Sequence, residues 1–159
     1  MSLQQDVDLL RNIPLFAKIE PSKLKLLAFT AQRLSFGEGD VVCEQGDEGD
    51  SAYIIIEGEA DVIVATTGGP VTVATLKKND FLGETAILCD VPRTATVLAR
   101  TDLETLMISK DLFFQLVSQF PSMSIEIMRE LARRVERTTA QLREAVSQGG
   151  GPAVTPRGP

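Results

Sequence analysis

Between Arg33 and Ser109 the chain breaks into seven short β-rich runs: 33–36, 41–44, 52–57, 60–66, 70–76, 94–99 and 103–109. Glycine-containing turns separate several of them, at Gly37 and Gly39, Gly46 and Gly49, Gly58, and Gly68-Gly69. Many short strands at close spacing with turn signals specify an antiparallel barrel or roll. Thr66 to Pro70 reads as a hairpin loop. On both sides the apolar period is helical. Val7, Leu9, Leu10 and Ile13 form one apolar set, stopped by Pro14. After a turn at Leu15-Phe16-Ala17, Glu20-Pro21-Ser22 starts a second helix carrying Leu24, Leu26, Leu27 and Phe29. Asp111 to Phe120 is a short helix ended by Pro121. Ser122 to about Ser147 is a long one, with Ile127, Leu131, Val135, Thr138, Leu142 and Val146 in a single stripe. The expected fold is mainly β with flanking helices, an antiparallel β-roll. The organisation is one domain over 4–146, with the roll at 32–109 and C-terminal helices at 110–146. Residues 147–159, with four glycines and three prolines, are expected to be a disordered tail.

Composition narrows the function. The 159 residues suit one domain, and 43% hydrophobic with 24% charged residues suits a globular core. A net charge of −6 disfavours non-specific contact with a nucleic-acid polymer, and no basic stripe is present to hold an anionic membrane. A local positive pocket can still hold a small anion. No apolar run approaches the ~20 residues of a membrane span, and no signal-peptide pattern opens the chain. The expected location is cytoplasmic, with Cys43 and Cys89 as reduced thiols. Histidine is absent. That removes Ser-His and Cys-His nucleophile pairs, a histidine general base and histidine metal sites. No catalytic residue, no metal and no cofactor is expected, and the chain reads as a non-enzyme.

One segment interrupts the strand rhythm. Phe81 to Val91 is a poor strand, and Gly83 to Leu88 reads as a short helical turn between two strands. Gly83 lets backbone approach a ligand closely, and the turn after it directs N–H groups at an anion. Arg93, beside Pro92, opens the run Thr94-Ala95-Thr96-Val97 and is expected to point into the roll. A buried unpaired guanidinium is costly, and a phosphate held bidentately satisfies it. Glu84, at the same pocket, can accept from a hydroxyl. One arginine, one glutamate and helix N–H groups describe a sugar-phosphate site.

The stretch Phe81 to Val97 resembles the phosphate-binding cassette of the cyclic-nucleotide-binding domain family, whose pattern is close to G-E-x-A, two or three apolar residues, then P-R-x-A-(T/S)-V. Every fixed position is matched. Gly37 to Val42, Gln45 to Asp50, Tyr53-Ile54-Ile55 and Glu57-Gly58 resemble the family's first strands and turns, so the likeness covers roughly residues 10–140. It implies a jelly-roll-like double-stranded β-helix with N-terminal helices, a short cassette helix and a long C-terminal lid helix. It implies a ligand, cAMP or cGMP. By position, Arg93 takes the cyclic phosphate and Glu84 the ribose 2′-hydroxyl. Gly83, Thr85, Ala86, Thr94 and Ala95 complete the cradle. Asp50 matches a family aspartate that pairs with the arginine. Arg134, with neighbours Val135 and Thr138, falls where some channel members contact the base.

Each assignment has a plainer counterpart. Arg93 can be a structural ion pair, Glu84 a carboxylate at a helix N-terminus, Asp50 a turn residue, and Arg134 a solvated helical arginine. The C-terminal helix either packs on its own roll or pairs with a second copy, residues 128, 131, 135, 138, 142 and 145 approximating a heptad seam. Rival functions are a fragment of a catabolite-activator-type transcription regulator, a fragment of a cyclic-nucleotide-gated channel or transporter, and a degenerate interaction scaffold. A DNA-binding role for this chain needs a basic recognition helix after the long helix, where only the Gly/Pro tail follows. A cupin-like metal enzyme needs histidines. The effector protein is not named by the sequence.

Overall fold

A computed structural model describes residues 3–149. Helices α1 (Leu3–Arg11) and α2 (Pro21–Thr30) precede the roll, joined through a single 3-10 turn at Pro14–Phe16. Pro21 takes the first turn of α2, where a missing N–H costs nothing. The strands are β1 (Gln32–Phe36), β2 (Val41–Cys43), β3 (Ser51–Glu57), β4 (Ala60–Thr66), β5 (Gly69–Leu76), β6 (Phe81–Leu82), β7 (Thr96–Ala99) and β8 (Leu103–Ser109). Helix α3 (Glu84–Cys89) lies between β6 and β7. Helices α4 (Lys110–Gln119) and α5 (Pro121–Gly149) follow.

The strands form two antiparallel four-stranded sheets, in the orders β1-β8-β3-β6 and β2-β7-β4-β5. The expected roll with flanking helices is what the chain builds. Strand β3 explains why. Six of its seven residues are buried, because the strand is covered on both faces. Ala52, Ile54 and Ile56 point to the helices, into a core with Phe16, Leu24, Leu27, Ile108, Met123 and Ile127. Tyr53 and Ile55 point the other way, into the roll interior with Val42, Leu82, Val97 and Leu103. The period-2 alternation thus divides one apolar run between two cores.

Three details differ from the sequence expectations. Phe81 and Leu82 do pair with β3, at Ile54 and Tyr53, making a two-residue edge strand. The expected strand at 94–99 begins only at Thr96, since Thr94 and Ala95 form a bend. Helix α5 continues through 147–149, and the rest of the expected tail lies outside the described residues. The apolar stripe of α5 also divides. Met123, Ile127 and Leu131 face the core, whereas Ile125, Met128, Val135, Leu142 and Val146 are exposed. Leu131, half-buried against the core, borders the exposed Met128 and Val135 on the same side of the helix. The exposed apolar residues of α5 form a row at 125, 128, 135, 142 and 146. Among the described residues, no helix is long and apolar enough to cross a membrane.

Candidate functional site

The interruption between β6 and β7 is organised around Arg93, whose side chain enters the roll beneath α3. Its main chain is strapped from both directions: the Arg93 N–H donates to the Asp47 carbonyl at 2.8 Å, and the Arg93 carbonyl accepts from the Gly46 N–H at 2.8 Å. Only 6% of the residue is exposed. Nη2 donates to the Ser51 carbonyl at 2.8 Å and reaches Ser51 Oγ at 3.4 Å, while Nη1 lies 3.5 Å from the Gly83 carbonyl. The guanidinium carbon stands 6.0 Å from the Tyr53 ring centroid. Its partners within the described residues are thus neutral oxygens and a ring, with no carboxylate among them.

Two glycines allow this packing. Gly83, at φ 90°, is the residue before α3, and no side chain caps that helix. A Cβ there would lie 2.5 Å from Arg93 Nη1 and 2.8 Å from the Ser51 carbonyl. A Cβ on Gly49 would lie 2.2 Å from that of Ala86. Either position demands glycine, one for conformation and contact, the other for contact alone.

Glu84, 4% exposed, sits on the other side of the cassette. Its Oε1 accepts from Arg134 Nη1 of α5 at 2.7 Å. Arg134 Nη2 also donates to the Phe81 carbonyl, and the guanidinium lies 4.6 Å from the Phe81 ring centroid. Glu130, one turn earlier, approaches Arg134 Nε at 3.7 Å. Burial pushes the Glu84 carboxyl above its ordinary value, against the pull of Arg134 and Arg93. The arrangement closes the last core-facing turn of α5 onto the cassette.

Gly83, Glu84, Ala86 and Arg93 converge as the sequence implied. Thr85 and Thr94 are exposed, Ala95 half-buried. Asp50 does not pair with Arg93 here: it is exposed, and its Oδ1 accepts from Ser51 Oγ at 3.3 Å. Ser51 is the intermediary, touching both. Of the three helical residues, Arg134 reaches the cassette. Val135 points away at 66% exposure, and the Thr138 hydroxyl donates to the Arg134 carbonyl of its own helix. Sequence reasoning missed Ser51 and Tyr53. The signal was their i, i+2 placement on β3, which puts both on the interior face that Arg93 enters.

The family model of the cyclic nucleotide-binding domain matches residues 33–120. A cAMP-dependent protein kinase regulatory subunit of Blastocladiella emersonii is 35% identical over 109 residues, 68% of this chain and 27% of that protein. A CRP-like cAMP-activated global transcriptional regulator of Mycobacterium tuberculosis is 28% identical over 140 residues, 87% of this chain and 62% of that one. Among solved structures, the regulatory subunit of a cAMP-independent protein kinase A from Trypanosoma brucei superposes with a TM-score of 0.73 at 26% identity, over 88% of this chain and 51% of that one. The chain belongs to the cyclic nucleotide-binding domain family. It spans about a quarter of the length of the kinase regulatory subunits it matches. Those relatives are regulatory subunits and regulators.

Proposed function

We propose that the chain is a non-catalytic regulatory module that takes cAMP or cGMP in the cassette formed by Gly83 to Ala95. The observation that carries this is Arg93: a guanidinium 94% removed from solvent whose partners are carbonyls, a hydroxyl and a ring. A buried cation without a counter-charge is costly, and a cyclic phosphate supplies the charge in the bidentate geometry the fork prefers. Glu84 accepts from the ribose 2′-hydroxyl, while the first-turn N–H groups of α3 serve the phosphate oxygens. No further cofactor is needed.

Signalling runs through α5. Arg134 already holds Glu84, so a ribose arriving at Glu84 changes the partner of the helix. A ligand that favours one placement of α5 shifts its population. The module acts in the cytoplasm on an unidentified effector. The exposed row Ile125, Met128, Val135, Leu142, Val146 pairs with that of a second copy, which light scattering of the purified chain checks as a dimer mass.

The closed Arg134–Glu84 contact favours a second reading, an interaction scaffold whose cassette is self-occupied. The T. brucei relative is the regulatory subunit of a kinase described as cAMP-independent, which supports that reading. Parallel calorimetric titrations with cAMP and cGMP separate the two. Saturable heat from either nucleotide supports the sensor, and the absence of heat and of a thermal shift with both supports the scaffold.

A further inference from the structure

Away from the cassette, a cavity of about 130 Å³ lies between α1, the end of α2 and the β1-β8-β3 face. Its walls are apolar, with Leu9, Leu10, Ile13, Ala31, Ile56 and Leu106 prominent. Ile56 and Ser51 stand at opposite ends of β3, five residues or about 16 Å apart, so this is not an extension of the Arg93 site. An engineered apolar cavity of about 150 Å³ takes up benzene, so the space here matches one six-membered ring.

The mouth is polar and carries a single uncommitted charge. Three charged side chains line the cavity: Asp6, Arg33 and Lys78. Asp6 and Arg33 pair at 3.3 Å, and Arg33 also holds Glu104 at 3.2 Å. That leaves the Lys78 ammonium with no ion-pair partner among the described residues. Beside it, Asn79 lines the same cavity. The turn that presents them is fixed to β3: Asn79 N–H donates to the Ile55 carbonyl at 2.8 Å, and Ile55 N–H to the Asp80 carbonyl at 2.9 Å. Asn79 adopts φ 75°, a conformation non-glycine residues enter sparingly and asparagine tolerates best. One lysine and one amide at the lip of a ring-sized apolar cavity fit a compact monoanion with an apolar body. We infer that this cavity is a ligand site for a small aromatic carboxylate, ring against Ala31, Ile56 and Leu106, carboxylate at Lys78 and Asn79.

The test is a ¹H–¹⁵N NMR titration of the full chain with benzoate, with benzyl alcohol as the neutral match. Saturable shifts centred on Leu9, Ala31, Ile56 and Asn79 are expected. Lys78→Ala is expected to weaken benzoate about fivefold, the value of a solvent-facing charge contact, and to leave benzyl alcohol unchanged. Ala31→Phe, which fills the cavity, is expected to abolish both. If that variant loses its native spectrum, exposed Lys78 carries the test alone. No saturable shift at millimolar benzoate overturns the site. Equal benzoate affinity in wild type and Lys78→Ala overturns the carboxylate assignment. Shifts that gather on Gly83 to Ala95 and vanish in Arg93→Ala also overturn it, assigning the anion to the cassette instead.

Discussion

Two arginines from different elements reach the same six-residue helix, and they are held differently. Arg93 comes from the strand side, 6% exposed, and bonds to main-chain carbonyls and a serine hydroxyl. Arg134 comes from α5, about a quarter exposed, and pairs at 2.7 Å with the carboxylate of Glu84. One cation is positioned without an anion; the other has one. Carbonyl dipoles orient a guanidinium but do not neutralise it, so Arg93 keeps its charge available to a ligand. Arg134 has already used its charge to dock a helix. On the function proposed above, the contrast divides the labour, ligand capture falling to the roll and its report to α5.

The sharpest way to break this contrast is to exchange the arginines' expected effects. Arg93→Ala should weaken cyclic-nucleotide binding by at least about 2 kcal/mol, roughly thirtyfold, because a charge-assisted fork is lost from a shielded site. Arg93→Lys should recover little of it, since a point charge replaces two aligned donors. Calorimetry reads both, and wild-type affinity surviving in Arg93→Ala removes the cassette from the ligand. The same variant should leave exchange of α5 in the ligand-free protein unchanged. Arg134→Ala should do the reverse, raising hydrogen exchange from about Glu130 onward while the roll stays protected, because Glu84 and Phe81 lose their helix partner. If α5 exchanges alike in wild type and Arg134→Ala, core contacts at Ile127 and Leu131 hold the helix without it.

Glu84 is shared by both halves of the comparison, and two experiments separate its roles. Glu84→Gln should weaken the ribose nucleotide about tenfold, the loss of one hydrogen bond to a charged acceptor, and weaken a 2′-deoxy analogue less. Equal losses would mean that Glu84 does not read the 2′-hydroxyl. The second experiment is pH. Burial raises the Glu84 pKa in the fold, so the folded state binds this proton more tightly than the unfolded chain does. Stability from this group therefore rises as pH falls through the interval between the ordinary and the raised value, and its burial cost is fully present above that interval. Protonation also removes the charge that Arg134 holds. As pH falls through that interval, the protection factors of α5, corrected for the slower intrinsic exchange at low pH, should drop without any loss of roll stability traceable to Glu84. Loss of both together would tie the helix to the roll more rigidly than one ion pair does.

The roll and the cassette were legible because their signals are local. Glycine turns and period-2 runs specify strands, and G-E-x-A with P-R-x-A-T-V places Glu84 and Arg93 within ten residues of each other. What the sequence did not disclose depends on contacts between distant segments. Asp50 looks like the natural partner of Arg93, but a turn residue's direction is set by its neighbours. Here the Ser51 hydroxyl stands between them, and Asp50 faces solvent. The α5 stripe was legible as a period but not as a direction. The helix leaves the roll after Leu131 and Arg134, so the same stripe is core at Ile127 and exposed at Val135, Leu142 and Val146. Phe81 and Leu82 became a strand only because β3 offers an edge there. A two-residue ladder has no sequence period to find.

The smallest expected effect concerns which base is chosen, and it separates the roll from the helix once more. Thr94 directly follows Arg93, is exposed, and lies in the bend before β7. With a base lying syn over the cassette, its hydroxyl can accept from the 2-amino group of guanine, which adenine lacks. A neutral hydrogen bond contributes about 0.5–1.5 kcal/mol net, which limits the preference to roughly tenfold. Thr94→Ala should therefore lower cGMP affinity several-fold more than cAMP affinity while leaving both measurable, because Arg93 still holds the phosphate. The matched control is Arg134→Ala, whose guanidinium lies over the Phe81 ring beside the cassette rather than at Thr94. If the cAMP/cGMP ratio stays fixed in Thr94→Ala but moves in Arg134→Ala, the base is read by α5, and the roll contributes only phosphate and sugar. If the ratio moves in Thr94→Ala alone, α5 reports occupancy without reading identity.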